Sequence, residues 1–290
     1  MKIYIDGKLI DKEKAVISVF DHGLLYGDGV FEGIRTYDGL GFRFKEHIDR
    51  LYRSADAIEL KIPMTKEEMV DAMIMTLKAN KLRDAYIRLV VTRGPGDLGL
   101  DPRKCSKPTI FIITYQIALY PKEFYQKGLE IITANTRRNY PLALDPRIKS
   151  LNYLNNILAK IDAIKAGTEE AIMLNYEGYV TECTGDNIFM VKDGELITSP
   201  VSIGALEGIT RDAVIGLARK MDIPVFERLI KMEDIYAADE VFLTGTAAEI
   251  IPVVRIDKKR IGGGKPGGIT LRLTGAFKEL TKSDGVRYDV

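Results

Sequence analysis

An amine held in a cleft is a nucleophile, and Lys149 stands where one could be displayed. It follows Pro146-Arg147-Ile148 and precedes Ser150-Leu151-Asn152-Tyr153-Leu154-Asn155-Asn156, a run rich in side chains that could orient a ligand. Apolar spacing predicts a helix over residues 150–166 closed by Gly167, so Lys149 would project from a helix start. A lysine alone is ordinarily a solvated surface residue and becomes chemical only with partners. Glu182 is one candidate, at the end of a strand entering the small-residue turn Cys183-Thr184-Gly185-Asp186, where a carboxylate is either aimed into a cleft or simply faces the turn. Gly208-Ile209-Thr210-Arg211-Asp212 is another: the glycine lets the chain turn, and the N–H groups that follow open an amphipathic helix whose positive end suits a phosphate. Thr210 serving only as an N-cap hydroxyl would give the same pattern.

Other glycines mean less. Gly27-Asp28-Gly29-Val30-Phe31-Glu32-Gly33 has G-x-G-x-x-x-G spacing and runs into β-branched residues, which excludes a dinucleotide-binding fingerprint. Gly262-Gly263-Gly264-Lys265-Pro266 lacks the Ser/Thr of a P-loop and carries a proline where a donor is wanted, so it reads as a turn. With only His22 and His47 in the chain, a three-histidine metal site is impossible and no metal is expected. Cys105 and Cys183 lie far apart, without the spacing of a zinc ribbon or a disulfide framework, so a reducing cytoplasm fits best.

These groups need a scaffold, and the hydrophobic periodicity predicts a mixed one. An opening hairpin turns at Asp6-Gly7, followed by a strand at residues 16–20, a glycine-dense loop at 21–29 and a strand at 30–37. Phe44, Ile48, Leu51, Tyr52, Ala55 and Ile58 fall at helical spacing, and a second helix begins at Thr65, whose T-x-x-E pattern with Glu68 is a capping box. Strands at 85–92 and 109–116 flank the punctuated loop 93–102, read as a functional flap, with a plain surface loop as the alternative. Beyond a domain boundary near residues 117–128 come a strand at 129–133, the helix at 150–166 and short strands at 171–174, 179–182, 188–191 and 195–198. A helix near Thr210, strands near 224–229 and 240–244, and a helix over 269–280 complete the pattern.

Composition bounds the function. A chain of 290 residues, 46% apolar, suits one large or two medium domains. With 42 Lys+Arg against 41 Asp+Glu, nothing global draws it to nucleic acid or an anionic membrane, and a small ligand is the natural partner. The best apolar run, Thr109-Ile110-Phe111-Ile112-Ile113, falls far short of the roughly 20 residues that span a bilayer. The opening residues interrupt their apolar positions with charges, so no signal peptide is expected.

Taken in order, His47-Ile48-Asp49-Arg50-Leu51, Lys149-Ser150-Leu151-Asn152-Tyr153-Leu154-Asn155, Glu182-Cys183-Thr184-Gly185-Asp186-Asn187-Ile188-Phe189, Gly208-Ile209-Thr210-Arg211 and Thr244-Gly245-Thr246-Ala247-Ala248-Glu249-Ile250 resemble the class IV pyridoxal-phosphate aminotransferases. Within that class, Tyr26-Gly27-Asp28-Gly29-Val30-Phe31-Glu32-Gly33-Ile34-Arg35 and Ala85-Tyr86-Ile87-Arg88 are similar to branched-chain amino-acid aminotransferases. The resemblance implies the two-domain fold type IV arrangement, α/β with α+β mixing. A smaller N-terminal domain would span 1–120, a linker 121–128, and a larger pseudo-barrel domain 129–290, with the cofactor lodged between the domains.

It also implies roles. Lys149 would hold pyridoxal 5'-phosphate covalently and shuttle a proton during transfer, and Glu182 would face the pyridine nitrogen, with the cofactor supplying the hard chemistry. Arg50, Gly208, Ile209, Thr210, Gly245 and Thr246 would receive the phosphate; an exposed i,i+4 pair of Arg50 with Glu46 is the plainer account of that arginine. Tyr153 would bond the ring oxygen and Leu206 would pack on the ring face. Tyr26, Phe31, Gly33, Arg35 and Tyr125 would wall the substrate pocket. Tyr86, Thr246 and Ala247 would hold the α-carboxylate, and Arg88 the distal carboxylate of glutamate. The substrates implied are L-leucine, L-isoleucine or L-valine with 2-oxoglutarate, and the assembly a homodimer or a multiple of one, since Tyr26 and the loop around Leu100 approach a neighbouring subunit in the family. Cys183 fills a position where relatives often carry glycine, which would constrict the turn beside Glu182, and tryptophan is absent. D-amino-acid and (R)-amine transaminases and aminodeoxychorismate lyases share Lys149, Glu182 and Arg50; a non-catalytic phosphate-ligand binding module is the reading outside the class.

Overall fold

In the computed structural model residues 1–116 and 120–289 are described, so residues 117–119 of the expected boundary lie outside the described residues. The chain packs as two compact units, one formed by Met1–Ile117, Ile148–Asn152 and Thr281–Val290, the other by Ala118–Arg147 and Tyr153–Leu280. A single division at 121–128 does not capture this, because the chain returns to the first unit twice, and the expected linker contains the helix Lys122–Lys127 of the second.

The first unit is built on a seven-stranded sheet, antiparallel at every pairing. Its order is Gly285–Arg287, Leu40–Phe42, Gly29–Tyr37, Ala85–Thr92, Thr109–Tyr115, Lys2–Ile5 and Lys8–Asp11. The strand period of two divides the side chains. Val30 and Ile34, with Ile87, Leu89 and Val91, pack beneath the helices Phe44–Ala57 and Lys66–Ala79, where Phe44, Ile48, Leu51, Met69, Met73 and Leu77 complete the core. Phe31, Gly33 and Arg35 are left for the opposite face, in register with Val90, Arg88 and Tyr86. The Thr65 capping box forms as expected: Glu68 N–H donates to the Thr65 hydroxyl at 3.2 Å and Thr65 N–H to the Glu68 carboxylate at 2.7 Å.

Two local expectations are corrected here. Residues 16–20 form no strand; a turn closed by Asp21 N–H to the Ser18 carbonyl (3.1 Å) breaks the extended run, and a short helix, His22–Tyr26, follows. The helix expected at 150–166 is Leu154–Lys165. Ahead of it, residues 149–151 lie extended along the open edge of Gly29–Tyr37, where Leu40–Phe42 pairs only with Thr36 and Tyr37. Phe31 N–H donates to the Lys149 carbonyl (3.0 Å) and Leu151 N–H to that of Gly29 (2.9 Å), so Lys149 projects from a sheet edge and not from a helix start. The loop 93–102 bonds to the segment before it: His22 N–H donates to Gly94 O, Gly96 N–H to Phe20 O, Gly99 N–H to the Tyr26 hydroxyl, and Arg93 pairs with Asp28 at 2.9 Å.

The second unit holds a mixed nine-stranded sheet in the order Val225–Glu227, Glu195–Thr198, Asn187–Lys192, Glu240–Gly245, Glu249–Ile256, Leu129–Thr133, Ala171–Leu174 and Val180–Cys183, with Lys259–Arg260 pairing beside Glu249–Ile256. Ile131, Ile172, Ile188, Ile197, Leu243 and Ile251 lie in its core. The helices Ile209–Lys220 and Gly268–Leu280 pack on the central strands. Strand Glu249–Ile256 is hidden from sequence by Pro252, which demotes a run that otherwise reads as β. That proline sits just before the pairing with Leu129–Thr133 begins at Val253.

Candidate active site

In the first unit the reactive groups share one sheet face. Register opposite Phe31 puts the Lys149 side chain on that face, with Nζ 4.7 Å from the Phe31 ring centroid, and the Arg88 guanidinium carbon lies 4.6 Å from the same centroid. Arg88 also donates from Nη2 to the Tyr86 hydroxyl at 3.0 Å. Tyr86 lies across Gly33, where a Cβ would meet the phenol and push it aside. Arg35 completes the row, 5.1 Å from the Tyr37 ring. An amine, two guanidiniums and an aromatic floor form an anion-receptive surface with an apolar centre. The backbone N–H of Lys149 donates to Ser54 Oγ at 3.1 Å, which fixes the base of the side chain.

Arg50 is presented from the other side of the sheet, and its partner is not Glu46. Its Nε and Nη2 bond the two oxygens of Glu32 at 2.7 and 2.9 Å, and His47 Nδ1 meets Glu32 Oε2 at 2.7 Å. Glu32 is 0% exposed and Arg50 4%. Burial alone would raise the Glu32 carboxyl, but the charges and hydrogen bonds of Arg50 and His47 outweigh it and hold the group far below the usual carboxylate range. Burial also lowers His47, with Glu32 opposing incompletely, so the imidazole is neutral near pH 7 and donates its Nδ1 proton to Glu32. Tyr26 ends His22–Tyr26, its ring edge-on to His22 and its hydroxyl accepting from Gly99.

In the second unit Glu182 is buried at the end of Val180–Cys183 and held at both oxygens. Arg138 Nε donates to Oε1 at 2.8 Å, and Leu206 N–H donates to Oε2 at 2.8 Å. Cys183 joins the apolar core, where burial pushes its thiol up. Gly208 caps Ile209–Lys220 without a side chain, and Ile209 and Thr210 open the helix. A Cβ on Gly208 would strike the Asn187 side chain, and one on Gly245 the Asp186 carboxylate. Because Asn187 pairs with Thr244 across the sheet, the uncapped helix start lies beside the corner formed by Gly245, Thr246 and Ala247. The hydroxyl of Thr244 is buried there with no protein partner. Uncapped amides and an orphaned hydroxyl in a glycine-lined corner fit a phosphate. Tyr153 occupies the N-cap position of Leu154–Lys165, and Tyr125, on Lys122–Lys127, packs on the core.

Glu32, His47, Arg138 and Asn187 escape the sequence reading. Glu32 leaves a trace: a carboxylate between Val30 and Ile34 on the core face demands a buried cation, and His47 and Arg50, three apart on a helix, are placed to meet it. Arg138 leaves none, being in an irregular segment. Among the described residues no cluster of three or more His, Cys, Asp or Glu is arranged for a metal, and no helix is long and apolar enough to cross a membrane.

A family model, amino-transferase class IV, matches residues 29–256. The chain is 56% identical over 290 residues, all of both chains, to a Methanocaldococcus jannaschii protein named "Putative branched-chain-amino-acid aminotransferase". It is also similar to the crystal structure of Escherichia coli branched-chain amino acid aminotransferase, with a TM-score of 0.95 at 35% identity over 98% of this chain and 96% of that one. The branched-chain amino acid aminotransferase from Thermobaculum terrenum, in its PLP-bound holo form, gives a TM-score of 0.87 at 33% identity over 97% and 93%.

Proposed function

The chain belongs to the class IV aminotransferase family, and from that membership we propose that it is a pyridoxal-phosphate-dependent branched-chain amino-acid aminotransferase. It moves the amino group between L-leucine, L-isoleucine or L-valine and 2-oxoglutarate. The observation that carries this reading is the Lys149–Phe31–Arg88 row, in which an amine and a guanidinium meet one aromatic ring. An apolar side chain lies on that floor in one half-reaction, and Arg88 takes the distal carboxylate of glutamate in the other.

When bound, the cofactor supplies an electron sink for the negative charge left at the substrate α-carbon. Lys149 Nζ is the amine that would anchor the cofactor, and once free it would carry the proton to and from the substrate α-carbon. Glu182 would hold the pyridine nitrogen, and Leu206 would lie against the ring. Arg50, the first N–H groups of Ile209–Lys220, and Thr246 would hold the phosphate. Tyr153 would bond the ring oxygen. Tyr86, Thr246 and Ala247 hold the α-carboxylate, while Tyr26, Gly33, Arg35 and Tyr125 limit the pocket.

The enzyme acts as a homodimer or a multiple of one in the cytoplasm. Exposed Val16, Val19, Phe20, Leu24, Leu98 and Leu100 support an apolar contact with a second copy. A donor panel with 2-oxoglutarate tests the reading: leucine, isoleucine and valine are expected to turn over fastest, and borohydride is expected to fix the cofactor to Lys149. Faster transfer from D-alanine or from an amine lacking a carboxylate would overturn the substrate assignment. The absence of a visible cofactor band would overturn the activity.

A further inference from the structure

Arg138 is nearly as buried as Glu182, and two of its three guanidinium nitrogens are committed. Nε donates to Glu182 Oε1 at 2.8 Å, while Nη1 donates to Asn155 Oδ1 at 3.0 Å and Asn156 Oδ1 at 3.3 Å. The asparagines are themselves fixed, Asn155 donating to the Arg137 carbonyl at 2.7 Å and Asn156 to the Thr184 carbonyl at 2.9 Å. The arginine backbone is pinned as well, its N–H donating to Leu174 O at 2.9 Å. On the far oxygen of Glu182, Leu206 N–H at 2.8 Å and Asn187 Nδ2 at 3.4 Å close the clamp. Asn187 in turn donates to the Leu206 carbonyl at 2.9 Å, so the segment leading to Gly208 and the carboxylate share one donor set.

A carboxylate meant only to fill a turn needs no such frame, and a buried arginine locked by two asparagines has lost the freedom that a solvent-facing cation keeps. We propose that Arg138 is a positioning residue for the transaminase, setting the direction in which Glu182 presents its carboxylate to the cofactor's ring nitrogen. The inference rests on the role given to Glu182 above. Arg138 supplies the counter-charge that allows a carboxylate to be buried, while Asn155 and Asn156 fix the plane of the fork. Its effect is therefore exerted through Glu182 and vanishes where Glu182 no longer carries charge.

The test is a double-mutant cycle on purified holoenzyme, comparing wild type, R138Q, E182Q and the double variant. Two quantities are read: the dissociation constant of pyridoxal phosphate, from titration of its visible band, and the split of kcat from KM for leucine. R138Q is expected to loosen the cofactor by about tenfold or more and to lower kcat with KM nearly unchanged; R138K, which keeps the charge without the fork, should fall between it and wild type. In the E182Q background the same replacement should change the dissociation constant by less than about threefold. Equal loosening in both backgrounds overturns the proposal and leaves Arg138 a structural ion pair. E182Q alone without effect on cofactor or kcat overturns the role of Glu182 itself, and the proposal with it. Should R138Q fail to fold, R138K in the two backgrounds completes the same cycle and decides on the same criterion.

Discussion

Replacing Glu32 by Gln keeps the shape of a fully buried side chain and removes its charge. Three donors converge on the carboxylate, Arg50 Nε at 2.7 Å, Arg50 Nη2 at 2.9 Å and His47 Nδ1 at 2.7 Å. An amide offers a single oxygen, so at least one donor would face an NH2 group and the buried Arg50 guanidinium would lose the carboxylate it bridges. Losing one partner of a buried ion pair costs about 3–5 kcal/mol, and losing two charge-assisted hydrogen bonds of about 1.5–3 kcal/mol each gives a similar figure. At about 2–4 °C per kcal/mol for large domains, the unfolding midpoint of the first unit should drop on the order of 10 °C. Differential scanning calorimetry at pH 7 of Glu32→Gln, Arg50→Met and the double variant reads this directly. The double variant carries no orphaned charge and should recover at least half of the loss. A single-variant shift under about 2 °C, or strictly additive losses in the double, would refute the claim that Glu32 holds Arg50 in place.

Two further outcomes follow from the same geometry. Arg88→Gln should raise KM for 2-oxoglutarate by about tenfold or more while changing KM for leucine by less than about threefold, because only the former brings a distal carboxylate to the Phe31 floor; initial-rate kinetics check this, and equal rises in both would contradict it. Acid should weaken the fold in two stages. His47 is lowered by burial, so below its ordinary value of 6.5 the unfolded chain binds a proton that the native state does not, and stability falls with falling pH by up to about 1.4 kcal/mol per unit. Glu32, held far below its ordinary 4.5, adds a second loss as the pH drops through that value. Denaturant midpoints between pH 7 and pH 4 follow both stages, and His47→Gln, which keeps a donor for Glu32, should flatten the first alone.

What the sequence discloses depends on how local the cause is. The Thr65 capping box, the left-handed Gly167 after Leu154–Lys165 and the helix start at Gly208 rest on neighbours a few residues away, and they stand where the residues predict. Lys149 is legible as a candidate amine, but its extended setting is not, since the pairing partners Gly29 and Phe31 lie far back in the chain and helical spacing after Leu154 masks the change. Pro252 hides a central strand for the opposite reason, a local rule overridden by tertiary pairing. Arg138 belongs to neither case. Its importance arises only when Glu182, Asn155 and Asn156 are assembled around it, and no periodicity in residues 136–140 anticipates that.

The seven-stranded sheet draws its members from distant parts of the chain, and this has a consequence during synthesis. A ribosome that has released residues only through Tyr115 has exposed five neighbouring strands of that sheet and one short flanking strand, while the span that covers the edge at Gly29 and Phe31 is still untranslated. The outer strand Gly285–Arg287 arrives later again. Until then the nascent chain offers unpaired backbone on one border, an invitation to spurious strand addition between growing polypeptides. Lys149, to which we assign the chemistry, therefore belongs to the same short stretch of chain that ends that exposure at Gly29 and Phe31.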